Sequence, residues 1–279
     1  MKSGLGRIGP YSTVVLLLAF AWTAFPIYWM LTTALRPSSE VFQRPLSFWP
    51  ETFTGDNFGR VLSGANPVPR FLANSLITSV ASTIVVLVVA IPAAYAFSRL
   101  RFPFRRGFFF TIMMAQMIPL VVMLLPLYII FFQAHLLNTF HGLVLAFASL
   151  SLPFAIWILK TFIDSVPTEL DDAARVDGCS RVQTLRLVIM PVLGPGIVAA
   201  GSLSFLDAWN NLLVPLALTT SLEMKTLPAG ILLTFQGEFR TDWGGMMATA
   251  LVVALPVVLL FIACQRFLVR GLTQGSVKG

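Results

Sequence analysis

The sequence contains few charged residues. Only 11% of its 279 residues are Asp, Glu, Lys or Arg, whereas 57% are hydrophobic, and the mean hydropathy is +0.83. A soluble domain of this length needs more polar residues to cover its surface. The composition therefore excludes an ordinary soluble protein. It predicts an all-α protein that crosses a membrane several times, because helices satisfy their own backbone hydrogen bonds in lipid.

Residues and patterns that carry enzyme chemistry are also scarce. His135 and His141 have no Cys or carboxylate nearby, so no metal site is predicted, and Cys179 and Cys264 suggest no structural disulfide. The patterns G-x-S-x-G and H-E-x-x-H are absent, and no Gly-Lys pair exists to form a P-loop. We therefore expect no catalytic residue and no directly bound cofactor. The basic residues lie at the edges of apolar runs, which argues against nucleic acid as a partner.

Six apolar runs are long enough to cross a hydrocarbon core of roughly 30 Å, which takes about 20 helical residues. They lie near residues 11–35, 71–98, 107–133, 141–163, 191–215 and 243–268. The chain is thus predicted to be a single transmembrane domain, 1–279, in contact with membrane lipid. Two longer connections stand out, a loop at 36–70 and a loop at 164–190. The first is either a docking or lid element or a loosely ordered connector.

The distribution of charge predicts the orientation of these spans. An even number of spans puts both termini on one side of the membrane. That side would hold 13 of the 19 basic residues and five acidic ones, while the opposite loops hold six of each. Positive charge favours the cytoplasm. We therefore expect cytoplasmic termini, an extracytoplasmic loop at 36–70 and a cytoplasmic loop at 164–190.

The longest charged passage, "ELDDAARVDGCSRVQTLRLVIMP", covers residues 169–191. Its first part predicts a short helix that stops near Gly178, since glycine tolerates the left-handed conformation of a helix end. Ser180 stands three residues before Gln183, a capping-box pattern that starts a second helix, which we expect to run to a break at Pro191. The passage is therefore predicted to be a helix, a tight turn and another helix.

The first of these helices carries a small apolar patch. Leu170, Ala173 and Ala174 lie at positions i, i+3 and i+4, surrounded by charge. Small side chains allow another surface to approach the backbone closely. We therefore predict that this patch docks in a cleft on a cytoplasmic partner. The alternative is an amphipathic helix that lies on lipid, although this helix has no Trp, Phe or Lys to anchor it.

The spacing within this passage resembles a known family. Asp172-Ala-Ala, Gly178 and Val188-x-Met190-Pro191 follow the pattern E-A-A-x3-G-x9-I-x-L-P. This is similar to the cytoplasmic coupling loop of ABC importer permeases. The segments "FLDAWNNLLVPL", "TLPAGI" and the tail "GLTQGSVKG" resemble the carbohydrate branch of that family, the maltose-permease type.

The resemblance implies a type I importer fold in the cell membrane of a bacterium or archaeon. It also implies a second homologous permease, two copies of an ATPase that binds ATP and Mg²⁺, and an extracytoplasmic solute-binding protein that delivers a sugar or sugar derivative. The loop would dock on the ATPase. The implied coupling residues are Glu169, Asp172, Ala173, Ala174, Asp177, Gly178 and Pro191. The chain has Asp172 in place of the usual Glu, and Asn211 where the family usually has an acid.

Several polar residues inside the spans are candidates for a substrate pathway. They are Asn74, Ser75, Ser79, Gln116, Asp207, Trp209, Asn210 and Asn211. Amides suit sugar hydroxyls, and an indole ring offers a face to a pyranose. The hydroxyls of the second span also suit helix packing, and Asp207 could be satisfied by neighbours near a kink. An ion-coupled secondary transporter is the rival function, although such proteins usually carry several intramembrane acids.

Overall fold

The computed structural model describes residues 9–43, 47–64, 66–235 and 242–275, and this part of the chain contains helices and no strand. The helices are α1 (Pro10–Ala34), α2 (Asp56–Leu62), α3 (Val68–Arg99), α4 (Arg105–Met114), α5 (Leu120–Gln133), α6 (Phe140–Ser165), α7 (Glu169–Val176), α8 (Arg181–Gln183), α9 (Met190–Val192), α10 (Gly194–Asn210), α11 (Leu213–Leu218), α12 (Leu227–Phe235) and α13 (Trp243–Gly275). Single 3₁₀ turns cover Ala115–Met117 and Leu222–Met224, and a π-helical segment covers Thr184–Ile189.

Four helices are long and apolar enough to cross a membrane unbroken, namely α1, α3, α6 and the described part of α13. Two further candidates are bent pairs. Residues 105–117 and 120–133 meet at 104°, and residues 181–192 and 194–210 meet at 82°. The number of spans is six if each bent pair counts as one. Both interrupted regions contain a proline near the bend, Pro119 in the first and Pro195 in the second.

A proline lies at or next to each bend. Pro119 lies between the two halves of the first pair, where the missing N–H and an extended ψ of 132° stop the helix. In the second pair the bend falls at Leu193, and Pro195 occupies the first turn of α10, a position where a missing N–H costs nothing. Pro126 and Pro215 lie inside α5 and α11 without a break of comparable size.

The expected helix end at Pro191 is wrong by a short distance. The helix that begins at Arg181 continues through Pro191 to Val192. A proline ring normally clashes with the carbonyl four residues earlier, and the π-helical segment 184–189 directly before it widens the helix at that place. The wider turn explains why the chain remains helical past the proline.

Contacts divide the chain into two compact units. The first comprises residues up to Pro69 together with 231–255. Its loop is tied to the end of α1, because the buried Asn57 amide donates to the carbonyl oxygens of Ala34 and Arg36, 2.8 Å away in each case. Arg60 in turn forms an ion pair with Asp242 at 3.1 Å. The described part of the 47–64 loop is therefore ordered by specific contacts.

The second unit comprises residues 70–230 and 256–279. Its apolar core is built from buried residues of α3, α6, α10 and the π-helical segment, for example Val86, Leu159, Ile189 and Ala200. A smaller cluster around Phe147 joins α5, α6 and α11. Both candidate sites described below lie within this unit.

Candidate functional sites

A cavity of about 620 Å³ lies where two helix breaks meet the middle of a third helix. It lies beside the 3₁₀ turn before Pro119, the middle of α6 and the end of α10. Four of the predicted pathway residues line it: Gln116, Asp207, Asn210 and Asn211. Residues far apart in the sequence therefore share one polar surface in an otherwise apolar wall.

Hydrogen bonds hold these side chains in place. The Ser151 hydroxyl donates to Asp207 Oδ2 at 2.6 Å, and Gln116 Nε2 donates to the Leu150 carbonyl at 2.7 Å. Asn210 Nδ2 donates to the Leu206 carbonyl, and Asn211 Oδ1 accepts from the backbone N–H of Val214, each at 3.0 Å. Asp207 Oδ1, Gln116 Oε1 and Asn210 Oδ1 make none of these hydrogen bonds. The surface can thus accept hydrogen bonds from hydroxyl groups.

The structure separates the other predicted pathway residues from this cavity. Trp209 is only 1% exposed and stacks on Phe205 with ring centroids 5.5 Å apart, so its ring offers no face to a ligand in the cavity. Asn74, Ser75 and Ser79 are buried by their own chain. The packing interpretation of that serine face therefore describes it better than the pathway interpretation.

The helix α3, which is the second predicted span, holds the segment before α12 with these polar groups. Asn74 Nδ2 donates to the carbonyls of Glu223 and Lys225 at 2.8 and 2.9 Å, and Ser75 Oγ accepts from the N–H of Leu227 at 2.8 Å. Lys225 itself is buried, and its ammonium donates to the Thr219 carbonyl at 2.5 Å. Burial lowers the pKa of Lys225.

The charged passage forms the helix–turn–helix that its sequence predicts. α7 ends at Val176, and Gly178 has φ +81°, the left-handed conformation expected of it. The capping box is present in full, since Ser180 Oγ accepts from the N–H of Gln183 and Gln183 Oε1 accepts from the N–H of Ser180. Local signals alone are enough to specify this turn.

α7 presents one face to its own chain and another outward. Asp172 and Ala173 are exposed, and so is Val176, whose exposed fraction is 87%. Ala174 is 4% exposed and faces inward, so it does not lie on the small apolar patch predicted with Leu170 and Ala173. The remaining members of the predicted coupling set are exposed: Glu169, Asp177, Gly178 and Pro191.

The inward face of α7 carries a buried acid that the sequence analysis did not select. Asp171 Oδ2 lies 3.0 Å from Arg99 Nε, and Asp171 Oδ1 accepts a hydrogen bond of 2.8 Å from the Tyr95 hydroxyl. The Arg99 and Asp171 atoms face each other as an ion pair, not along the N–H direction of a hydrogen bond. Tyr95 and Arg99 are four residues apart on α3, a spacing that marks one helix face and offers the only sequence signal for this contact.

Comparison with known proteins bears on both sites. A family described as "Binding-protein-dependent transport system inner membrane component" matches residues 86–274. The diacetylchitobiose uptake system permease protein DasC of Streptomyces coelicolor is 38% identical over 278 residues, which cover 100% of this chain and 99% of that protein. The trehalose transport system permease protein SugB of Mycobacterium tuberculosis is 34% identical and covers 98% of this chain and 99% of its own.

The fold also has a counterpart among solved structures. A chain in the crystal structure of a bacterial ABC transporter involved in the import of the acidic polysaccharide alginate superposes with a TM-score of 0.82. The match covers 96% of this chain and 99% of the other, at 22% sequence identity. At that identity the match concerns the fold alone.

Proposed function

Because the chain belongs to the family of binding-protein-dependent transport system inner membrane components, we propose that it is the permease subunit of an ATP-driven importer for a sugar or sugar derivative. Its fold is that of a type I ABC importer permease. Relatives named for the uptake of diacetylchitobiose and trehalose support a carbohydrate substrate for this chain.

The proposed importer needs partners that supply the energy and the substrate. Family membership supports a second homologous permease, two ATPase subunits and an extracytoplasmic solute-binding protein. ATP and Mg²⁺ would bind to the ATPase subunits, in keeping with a sequence that has no Gly-Lys pair for a P-loop. In this assembly the chain would span the cell membrane of a bacterium or archaeon, with both termini in the cytoplasm.

The proposal depends on the exposed segment formed by α7, the Gly178 turn and α8. Its base is held by a buried ion pair, while Asp172, Ala173 and Asp177 remain exposed. A small apolar residue flanked by acidic residues fits a cleft whose basic groups can pair with those acids when the cleft closes. We infer that this segment docks on the ATPase and couples ATP-driven closure to the permease, with Glu169, Ala174, Gly178 and Pro191 shaping it.

The cavity is the corresponding candidate for the substrate pathway. Gln116, Asp207, Asn210 and Asn211 bring amide and carboxylate groups to a space of about 620 Å³, a size that accommodates a small sugar. The cavity is open on one side. We infer that the second permease closes that side, so that the two subunits share the pathway.

Reconstitution tests the proposal directly. The chain is co-purified with its partner permease, ATPase and solute-binding protein, and placed in proteoliposomes. Radiolabelled diacetylchitobiose and trehalose serve as probes, with a protonophore present to collapse any proton gradient. We expect uptake that requires ATP and survives the protonophore. Uptake that does not require ATP and is abolished by the protonophore would instead identify an ion-coupled secondary transporter.

A further inference from the structure

One guanidinium group connects three helices at the base of α7. Arg99, at the end of α3, forms the ion pair with Asp171 in the first turn of α7. Its Nη2 also donates to the carbonyls of Ile163 and Val166 at 3.0 and 2.5 Å, at the end of α6. The carbonyls at a helix end lack partners within the helix, and a cation is favourable there. Arg99 thus joins α3, α6 and α7 through a single rigid side chain.

Within the described part of the chain, the apolar core of α3, α6 and α10 does not extend to α7. The core of α3, α6 and the π-helical segment extends to Val166 and Ile189, and among the described residues it includes none from α7. The closest packing of α7 is with the π-helical segment that follows it in the chain. The polar group of Tyr95, Arg99 and Asp171 is therefore a direct link between α7 and the membrane helix α3.

The surroundings leave α7 room to move about this link. A cavity of about 510 Å³ lies beside it, lined by polar and charged side chains that include Arg101, Thr168, Arg175 and Thr184. A close-packed apolar contact would resist tilting in every direction. A pair of charges beside open space holds two elements together at one place and permits rotation there.

We propose that Arg99 is a positioning residue that transmits the movement of α7 to α3 and α6, with Asp171 as its contact on α7 and Tyr95 orienting that carboxylate. The proposal rests on the proposed function, since it assumes that an ATPase moves α7. A guanidinium suits this role, because it contacts a carboxylate and two carbonyls at the same time.

The test measures how tightly ATP hydrolysis is coupled to uptake. Arg99→Gln and Asp171→Asn are made in the complete importer, and uptake of the radiolabelled probe and ATP hydrolysis are measured on the same proteoliposomes. We expect hydrolysis to change little, while the number of sugar molecules transported per ATP falls by about tenfold, as for a lost allosteric coupling. Tyr95→Phe removes only the hydroxyl and should lower the ratio by a smaller factor.

A matched control is available in another contact between α3 and α6. Asp164→Asn weakens the hydrogen bond from Ser98 on α3 and the ion pair with Lys160, without touching α7, and it should leave the ratio unchanged. A purely structural role predicts that hydrolysis and uptake fall together, and that result would overturn the proposal. So would an unchanged ratio in Tyr95→Phe, the variant least able to disturb folding. A wild-type importer without ATP-driven uptake would refute the proposed function itself.

Discussion

Asn210 and Asn211 are adjacent amides on the cavity wall, yet their contacts differ. Asn210 donates one N–H to the Leu206 carbonyl of its own helix, and its oxygen takes no part in that bond. The oxygen of Asn211 instead accepts from the Val214 N–H in the first turn of α11. The first arrangement leaves a group available to a ligand. The second stabilises the fold at a helix break.

Replacement of the two residues should separate these roles. Asn210→Leu removes a hydrogen-bonding group from the pathway and should reduce uptake by roughly two- to tenfold, the value of one hydrogen bond, with no loss of stability. Asn211→Leu should cost about 1 kcal/mol of stability through the lost cap. Uptake by the complete importer and the thermal unfolding midpoint of the purified chain measure the two effects. Normal uptake in Asn210→Leu would place this residue outside the pathway.

Lys225 is a buried charge whose partners are carbonyl oxygens. Its pKa is lowered by burial from the usual 10.5, so in the pH range just below 10.5 the unfolded state binds more protons than the folded state. The contribution of Lys225 to the free energy of unfolding therefore increases as the pH rises toward 10.5. Lys225→Met lacks this dependence. We expect the thermal unfolding midpoint to increase more between pH 8 and pH 10 in the wild type than in Lys225→Met. Equal changes in the two proteins would contradict a lowered pKa for Lys225.

At the scale of elements, the turn between α7 and α8 combines a conformational and a spatial requirement. Gly178 has a positive φ, which strains residues with a Cβ atom, and apart from its two chain neighbours no described residue comes within 4 Å of where that Cβ would be. A substitution therefore meets only backbone strain in the isolated chain. In the proposed assembly it also meets the ATPase.

A pair of substitutions distinguishes strain from contact. Gly178→Ala should destabilise the turn by about 1–2 kcal/mol, because the left-handed conformation disfavours L residues. Gly178→Asn should be tolerated better, since asparagine adopts that conformation more readily. If the ATPase approaches the turn closely, both variants lose uptake and co-purify with less ATPase. Full activity of Gly178→Asn would mean that only the turn geometry matters.

At the scale of the whole molecule, the proposed orientation places the α7–α8 segment in the cytoplasm and the 47–64 loop outside. Two native cysteines make this testable. Cys179 lies in the turn after α7 and is partly exposed, and Cys264 lies in the apolar helix α13. Cys179 can serve as a reporter of the side on which the segment lies.

Labelling with a membrane-impermeant maleimide tests the orientation. With Cys264→Ser in place, Cys179 should react in inverted membrane vesicles and remain unlabelled in intact spheroplasts. A chain with both cysteines changed to serine and Ser63→Cys added in the outer loop should give the opposite result. Labelling of Cys179 from outside would reverse the predicted orientation and exclude docking on a cytoplasmic ATPase.

Much of this architecture follows from local sequence. Apolar runs long enough to span lipid predict the long helices. Prolines lie at or next to both interruptions, although others, such as Pro126, lie inside helices that continue. The turn at Gly178 and the capping box at Ser180 need only residues three positions apart. The resemblance to importer permeases likewise depends on spacing within single segments, and family membership confirms it.

It was harder to predict which face of each helix its neighbours cover. In an amphipathic soluble helix the polar side marks the solvent, but a membrane helix is apolar on most sides, so periodicity does not reveal which side its neighbours cover. The sequence therefore suggested Trp209, Asn74, Ser75 and Ser79 as pathway residues, although the chain buries all of them. Ser151, one of several hydroxyl residues in an apolar span, carried no signal of its contact with Asp207.

By itself, the sequence determined the long and broken helices, the charged helix–turn–helix and the family, since each of these depends on neighbouring residues or on overall composition. Only the tertiary structure decided that Asp171 turns inward to Arg99 while Asp172 turns outward, and that Gln116 and Asp207 share a cavity. Two adjacent acids are equivalent in a composition or a charge count. Their positions differ because a helix turns by about 100° per residue, and packing against α3 selects the one that is buried.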